Sequence, residues 1–212
     1  MNNLLDPIRQ LFKSHQPIEP GIYHMQSPET AEKQLRLHLR IDQDGSGLLI
    51  INASTVLHLN QTAAEYAYHT VQRTPENIAV NTISKRYKTS RNQILDDYRG
   101  FQNKITTMID LPDLDPVTTL DLERETPYAG AITAPYRLDC ALTYQLPEGS
   151  NPELAPTKRV DRELNTAEWT EILSKAWQAG IPHVTFTGGE PAVREDLFDL
   201  IGAAEKNGQV TG

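Results

Sequence analysis

Cysteine is almost absent from this 212-residue sequence, in which Cys140 is the single example. One cysteine excludes an intramolecular disulfide, and it excludes a metal site built from several thiolates of this chain. No run approaches the ~18 apolar residues of a membrane span, so no membrane association is predicted. The start, MNNLLDPIRQLF, lacks the basic segment and apolar core of a secretory signal, and a cytoplasmic location is therefore the default expectation.

The common nucleotide-binding motifs and a strong basic excess are also absent. There is no Gly-Lys-Ser/Thr of a P-loop and no G-x-G-x-x-G fingerprint. The formal net charge is −8, divided as +2 over residues 1–109 and −10 over residues 110–212. Such an asymmetry predicts two units with different roles, and neither half has the basic excess that is typical of nucleic-acid binders.

The first half predicts an α+β domain over residues 1–109. Residues 4–12 have helical spacing of apolar residues, and QLRLHLRI alternates as a half-buried strand does. Asp44-Gly45 then predicts a hairpin turn, with LLIINAST as a second strand and VLHLN as a third strand or a continuation of the second. Three helices should begin at Asn60, Pro75 and Ser90, and the last one carries one buried stripe at helical spacing: Ile94, Tyr98, Phe101 and Ile105.

Residues 110–134 are acidic, marked by proline and without a clear period, and are predicted to be a linker. Residues 135–212 change to a strand, helix, strand, helix, strand pattern. The strand RLDCALTYQL leads to a helix with Asn165 and Glu168 at capping-box spacing, and the strand HVTFT precedes a second helix. This order predicts an α/β segment with a parallel sheet, in which Cys140 is a core residue.

The turn in HVTFTGGEP is the first candidate site. Ligands of βα folds bind outside the carboxyl ends of the strands, where Glu190 is placed. Gly188 and Gly189 can adopt positive φ and let a ligand approach the backbone, and a carboxylate beside them suits an ammonium group. An ordinary strand-to-helix connection remains the alternative.

VTFTGGEP, together with ELNTAEWTEILSKAWQAGIPH and YRLDCALTY, resembles the start of a radical SAM domain. The resemblance covers residues 135–212 and implies a partial TIM-type βα barrel. It also implies that the Gly-Gly-Glu-Pro turn receives the amino group of S-adenosylmethionine, with these cofactor-binding residues: Gly188, Gly189, Glu190 and Pro191.

The sequence departs from this family where three cysteines, spaced C-x3-C-x2-C, hold a [4Fe–4S] cluster. Those positions correspond to Leu146, Ser150 and Glu153, while Cys140 lies six residues too early. Since clusters are held by thiolates, no [4Fe–4S] cluster bound in the family manner and no other metal site are predicted. The chain also has two βα units and a fragment where the family has about six, so a truncated chain or a domain completed by another subunit is expected.

GLLIINASTVLHLNQTAAEYAYHTV followed by ISKRYKTSRNQILDDYRGF resembles the PqqD-like domain, a winged-helix-like fold. That family recognises the leader segments of ribosomally made peptides and is often fused in front of radical SAM enzymes. The resemblance implies that the peptide adds as a strand to the sheet edge, opposite the third helix. The peptide-binding residues would be Thr55, Val56, Leu57, His58, Leu59, Ile94, Tyr98 and Phe101.

Three functions remain open. The first is a peptide-recognition or accessory protein without its own cluster, whose partners are a precursor leader segment and either a modifying enzyme or a second copy of the chain. The second is an active radical SAM enzyme that holds its cluster atypically. The third is a winged-helix DNA-binding protein, in which Ser90, Arg91 and Asn92 open a recognition helix, although Asp96 and Asp97 on that helix disfavour it.

Overall fold

The computed structural model describes residues 18–28, 30–111, 113–120 and 134–212. The helix predicted over residues 4–12 lies outside these ranges. The chain divides into two compact units, one formed mainly by the residues before the predicted linker and the other mainly by those after it. None of the helices in the described part is long and apolar enough to cross a membrane.

A four-stranded sheet opens the first unit, in the order β1-β2-β3-β4. The strands are β1 (Gly21–Gln26), β2 (Arg36–Ile41), β3 (Gly47–Ile51) and β4 (Thr55–Leu59). The predicted hairpin is confirmed, because β2 and β3 pair antiparallel and Gly45 adopts a φ of +84° in the turn between them. The sequence had predicted two or three strands, and it missed β1.

Strand β2 is buried on both faces, so the prediction of a half-buried strand is wrong. Leu39 is fully buried on one face, while His38 and Arg40 on the other face are only 4% and 6% exposed. On this face β3 places Ile50 beside His38 and Leu48 beside Arg40, so the two polar side chains have apolar cross-strand neighbours. The alternation of apolar and polar residues in β2 therefore does not correspond to an alternation of buried and exposed side chains.

The three predicted helices of the first unit are confirmed. They are α1 (Gln61–Val71), α2 (Glu76–Tyr87) and α3 (Arg91–Asp110). Asn60 and Ser90 cap α1 and α3 by accepting hydrogen bonds from backbone N–H groups. Six buried residues form the core between the helices: Tyr66, Ala79, Val80, Ile83, Ile94 and Tyr98. The predicted linker contains a short helix, α4 (Pro116–Leu120), that the sequence did not predict.

The second unit has the predicted strand, helix, strand, helix, strand order. Its elements are β5 (Arg137–Thr143), α5 (Thr166–Gln178), β6 (His183–Gly188), α6 (Leu197–Asn207) and β7 (Val210–Thr211). The sheet order is β5-β6-β7, and both pairings are parallel. The capping box of α5 is present, since Asn165 and Glu168 exchange side-chain-to-backbone hydrogen bonds of 3.0 and 2.9 Å.

Helices α5 and α6 pack on one face of this parallel sheet. Their core holds Cys140, Leu142, Trp169, Leu173, Val184, Leu200 and Ala204. The opposite face is polar and open on β5, where Arg137 and Asp139 form an ion pair of 2.8 Å with side chains that are 57% and 51% exposed. Asp139 therefore lies on the open face of β5 and has a charged partner.

Candidate functional site

The two glycines of the Gly-Gly-Glu-Pro turn are required by the protein's own backbone. Gly188 has a φ of +121°, and a Cβ at this position would lie 2.2 Å from the Thr143 carbonyl oxygen. A Cβ at Gly189 would lie 2.0 Å from the Gln145 carbonyl oxygen. Real Cβ atoms do not approach backbone oxygens so closely, because such contacts are strongly repulsive. Positive φ was predicted for both glycines and is present at Gly188 but not at Gly189. The group that approaches their backbone is the end of β5, whereas the sequence had suggested a ligand.

Two hydrogen bonds result from this close approach. The Gly189 N–H donates to the Thr143 carbonyl at 2.7 Å, and the Glu190 N–H donates to the Gln145 carbonyl at 2.8 Å. They continue the pairing of β5 with β6 beyond the last strand residue, Gly188. The backbone of Glu190 is thus fixed at the carboxyl edge of the parallel sheet, where ligands of βα folds bind.

The Glu190 side chain caps a short 3-10 turn over residues 191–193. Its Oε1 accepts a hydrogen bond from the Ala192 N–H at 3.0 Å, and its carbonyl accepts one from the Val193 N–H at 3.0 Å. The residue is half-buried, and within the described residues its Oε2 accepts no hydrogen bond. A carboxylate held by one oxygen and open at the other can accept an ammonium donor.

A neighbouring carboxylate, Glu163, was missed by the sequence analysis. It accepts a hydrogen bond of 3.0 Å from the Thr143 hydroxyl and one of 2.7 Å from the Tyr144 N–H. Thr143 is fully buried and ends β5, so Glu163 binds the chain where it leaves the strand. Glu163 therefore joins the two ends of the loop that runs from Tyr144 to Glu163.

Arg194 and Asp196 form a second part of this polar network. The Arg194 Nε and Nη2 donate to the two carboxylate oxygens of Asp196 at 2.8 and 2.7 Å. The hydroxyl of Thr166, the first residue of α5, also donates to Asp196 at 2.5 Å. The hydrogen-bonded Arg194 guanidinium, with a further contribution from Thr166, lowers the pKa of Asp196 to about 2. No local sequence signal marks this network, because Thr166 and Asp196 are 30 residues apart in the chain.

The residues in the cluster-loop positions do not fit a [4Fe–4S] cluster. Leu146 has no ligand atom, Ser150 is a hydroxyl, and Glu153 lies exposed in a 3-10 turn over residues 152–154. Cys140 is 3% exposed in the core between the sheet and the helices, as predicted. Burial raises the pKa of its thiol to about 11, which opposes formation of the thiolate that a cluster needs.

The residues predicted to bind a peptide fall into two groups. Strand β4 (Thr55–Leu59) is an edge strand in the described sheet, and its His58 is exposed. On α3, Phe101 is half-buried, whereas Ile94 and Tyr98 are 3% and 1% exposed. Ile94 and Tyr98 therefore belong to the helical core, and Leu59 at the end of β4 is also buried. The other residues of β4 and Phe101 are exposed or half-buried.

A cation that precedes α3 in the chain is engaged within the first unit. Arg86 forms an ion pair of 3.2 Å with Glu65, whose side chain is 2% exposed. A guanidinium that compensates a buried carboxylate is held by that charge. This pairing weakens the case for a phosphate-binding surface beside α3.

Comparison with known proteins relates part of the chain to a curated enzyme. No protein-family model matches. PqqA peptide cyclase from Streptomyces rochei is 40% identical over 83 residues, which represent 37% of this chain and 22% of that enzyme. This part of the chain is similar to part of a peptide cyclase. It spans less than a quarter of the relative's length, so the similarity concerns a part of that protein only.

Among solved structures, the chain is similar to Streptococcus suis SuiB. SuiB bound to S-adenosylmethionine is 16% identical with a TM-score of 0.48, and the alignment covers 89% of this chain and 41% of SuiB. SuiB bound to the precursor peptide SuiA is 18% identical with a TM-score of 0.44, with the same coverage of both chains. Similarity at this level does not by itself assign a ligand to this chain.

Proposed function

We propose that this protein serves the modification of a ribosomally made peptide. In this proposal the first unit is a PqqD-like, winged-helix-like domain that holds the leader segment of the precursor. The second unit is the start of a radical SAM-type βα barrel that binds S-adenosylmethionine without holding its own [4Fe–4S] cluster. The observation that carries the proposal is the fixed Glu190 carboxylate at the carboxyl edge of a parallel sheet, in a chain related to a peptide cyclase.

The Gly188–Pro191 turn suits the amino-acid end of S-adenosylmethionine. The ammonium group offers three donors, and Glu190 Oε2 is available to one of them. The negative charge of Glu190 favours the cationic group over a phosphate. The turn also contains no basic residue that could bind a phosphate. The role of the turn is to bind and orient this ligand at the sheet edge.

The peptide-binding part of the proposal rests on the edge of β4. In the described sheet β4 pairs with β3 on one side, so its other side can accept an added strand of main-chain hydrogen bonds. Phe101 offers an apolar contact, and Ile94 and Tyr98 support α3 from inside the core. The relative's action on the PqqA peptide agrees with a peptide as the partner.

An accessory role is favoured over an active radical SAM enzyme by the chemistry of the side chains. Leu146, Ser150 and Glu153 supply no thiolate, and Cys140 is enclosed on the helix side of β5. Partners in this role are the modifying enzyme or a second copy of the chain.

Calorimetry with S-adenosylmethionine tests the binding site. We expect binding to the wild-type chain and a loss of about 1.5–3 kcal/mol in the Glu190→Ala variant, the range for a hydrogen bond to a charged group. Glu195→Ala is the matched control, because Glu195 is an exposed glutamate of the same segment. Equal affinities for wild type and Glu190→Ala would mean that the turn is only a connector.

Anaerobic reconstitution with iron and sulfide separates the accessory protein from the active enzyme. We expect no stoichiometric [4Fe–4S] absorption band from the wild-type chain, and the same spectrum from Cys140→Ser. A stoichiometric band would refute the accessory role, and its loss in Cys140→Ser would identify the ligand.

A further inference from the structure

Arg194 follows the Glu190 turn in the chain, and its side chain binds the end of β5. Its side chain is 12% exposed. Besides its two hydrogen bonds to Asp196, its Nη1 donates to the Leu142 carbonyl at 2.9 Å and to the Leu164 carbonyl at 3.1 Å. Its own N–H donates to the Pro191 carbonyl at 3.1 Å, which ends the 3-10 turn.

The turn that contains Glu190 is therefore fastened at both ends to one short stretch of the chain. Before Glu190, the backbone N–H groups of residues 189 and 190 bind Thr143 and Gln145. After it, the Arg194 guanidinium binds Leu142. Glu190 lies in the segment between these two attachments. A change at Arg194 therefore removes the attachment after Glu190 and leaves the attachment before it in place.

Asp196 fixes the direction of the guanidinium. The pair is bidentate, and the hydrogen bond from Thr166 holds Asp196 in turn. The carboxylate raises the pKa of Arg194 and the guanidinium lowers that of Asp196, so both groups are charged at neutral pH. What the bidentate geometry provides is a fixed orientation.

We propose that Arg194, held by Asp196, is a positioning residue for Glu190, which sets the direction in which the carboxylate meets the ammonium end of its ligand. This inference rests on the proposed function, in which that ligand is S-adenosylmethionine. A preorganised group binds its ligand more tightly because binding no longer includes the entropic cost of ordering that group.

A double-mutant cycle between Arg194→Lys and Glu190→Ala tests the inference by calorimetry with S-adenosylmethionine. Lysine keeps the charge but cannot make the planar, two-armed contacts of arginine. We expect Arg194→Lys alone to weaken binding about tenfold, within the range of residues that share one network, and to have no further effect once Glu190 is alanine. Asp196→Asn should weaken binding in the same direction.

Arg162→Lys is the matched control. Arg162 also forms a bidentate pair, with Glu168 at the start of α5, but it makes no contact with the turn among the described residues. It should leave the affinity unchanged, and urea unfolding of each variant shows whether the unit is folded. Additive effects of Arg194→Lys and Glu190→Ala, or an equal loss in Arg162→Lys, would overturn the positioning role.

Failure of the inference is distinguishable from failure of the proposed function. If the wild-type chain does not bind S-adenosylmethionine, the proposed function falls and the inference falls with it. If wild type binds, Glu190→Ala weakens binding and Arg194→Lys does not, the inference alone is refuted.

Discussion

Replacing Gly189 with alanine is expected to destabilise the second unit by about 2–4 kcal/mol. The new Cβ would lie 2.0 Å from the Gln145 carbonyl oxygen and 2.8 Å from its carbonyl carbon, so the two backbones must move apart by about 1 Å. This displacement breaks the hydrogen bonds from Gly189 to Thr143 and from Glu190 to Gln145. Each broken bond costs about 0.5–1.5 kcal/mol, and more where a buried group is left without a partner.

Two other glycines provide matched controls for this substitution. Gly149 has a φ of +82° with open space around its Cβ position, so Gly149→Ala should cost only about 1 kcal/mol of backbone strain. Gly202 lies within α6 with nothing near its Cβ position, so Gly202→Ala should stabilise the unit by about 0.5–1 kcal/mol. The order of the three variants is the test of the packing.

Urea unfolding followed by tryptophan fluorescence measures these differences. Trp169 and Trp177 are the two tryptophans of the sequence, and both lie in α5, so the signal reports the second unit alone. Gly189→Ala should lower the midpoint with little change in the m-value. If Gly189→Ala is no more destabilising than Gly149→Ala, the turn does not pack against β5 as described.

Two further expectations concern single titratable groups. The pKa of Asp196, lowered to about 2 by Arg194 from the ordinary value of 3.8, gives stability that is present above pH ~4 and lost as the pH falls toward 2. Acid unfolding monitored by tryptophan fluorescence should therefore show that the free energy of unfolding of the wild-type chain falls by at most about 2 kcal/mol over this range. The Asp196→Asn variant should not show this fall. The same pH profile in the variant and the wild type would contradict the assignment. Burial raises the pKa of the Cys140 thiol to about 11, so Cys140 should resist iodoacetamide at pH 8 in the native chain and react in urea. Mass spectrometry counts the labelled molecules. Rapid labelling of the native chain would show that the core opens.

The sequence predicted helices well because their signals are local. Asn60, Ser90 and the Asn165–Glu168 pair all act as caps within four residues of the positions they mark. The βαβαβ order and the parallel sheet followed from the same periodicity. Strand β1 was missed because a short segment between prolines gives little alternation to detect.

The candidate site was only partly predictable. The position of Glu190 and the positive φ of Gly188 followed from the motif, but the need for Gly189 depends on Gln145, which belongs to another strand end. Glu163 and Arg194 are charged residues in polar stretches, which ordinarily predict solvent exposure. Their contacts with β5 are long-range in sequence, so only the folded chain brings them together.

The closure of the segment between Tyr144 and Glu163 has a consequence for how this protein can diverge. Gln145 belongs to the framework, because its carbonyl accepts the Glu190 N–H. Beyond Gln145, Glu163 and Arg194 hold the base of the loop, so residues 146–161 contribute little to the framework of the sheet or the turn. Doubling the length of such a loop costs only about 0.6 kcal/mol. Insertions, deletions and exchanges of residue type there are therefore tolerated, and a loop that exchanged its thiolates for Leu146, Ser150 and Glu153 would leave the Glu190 turn intact.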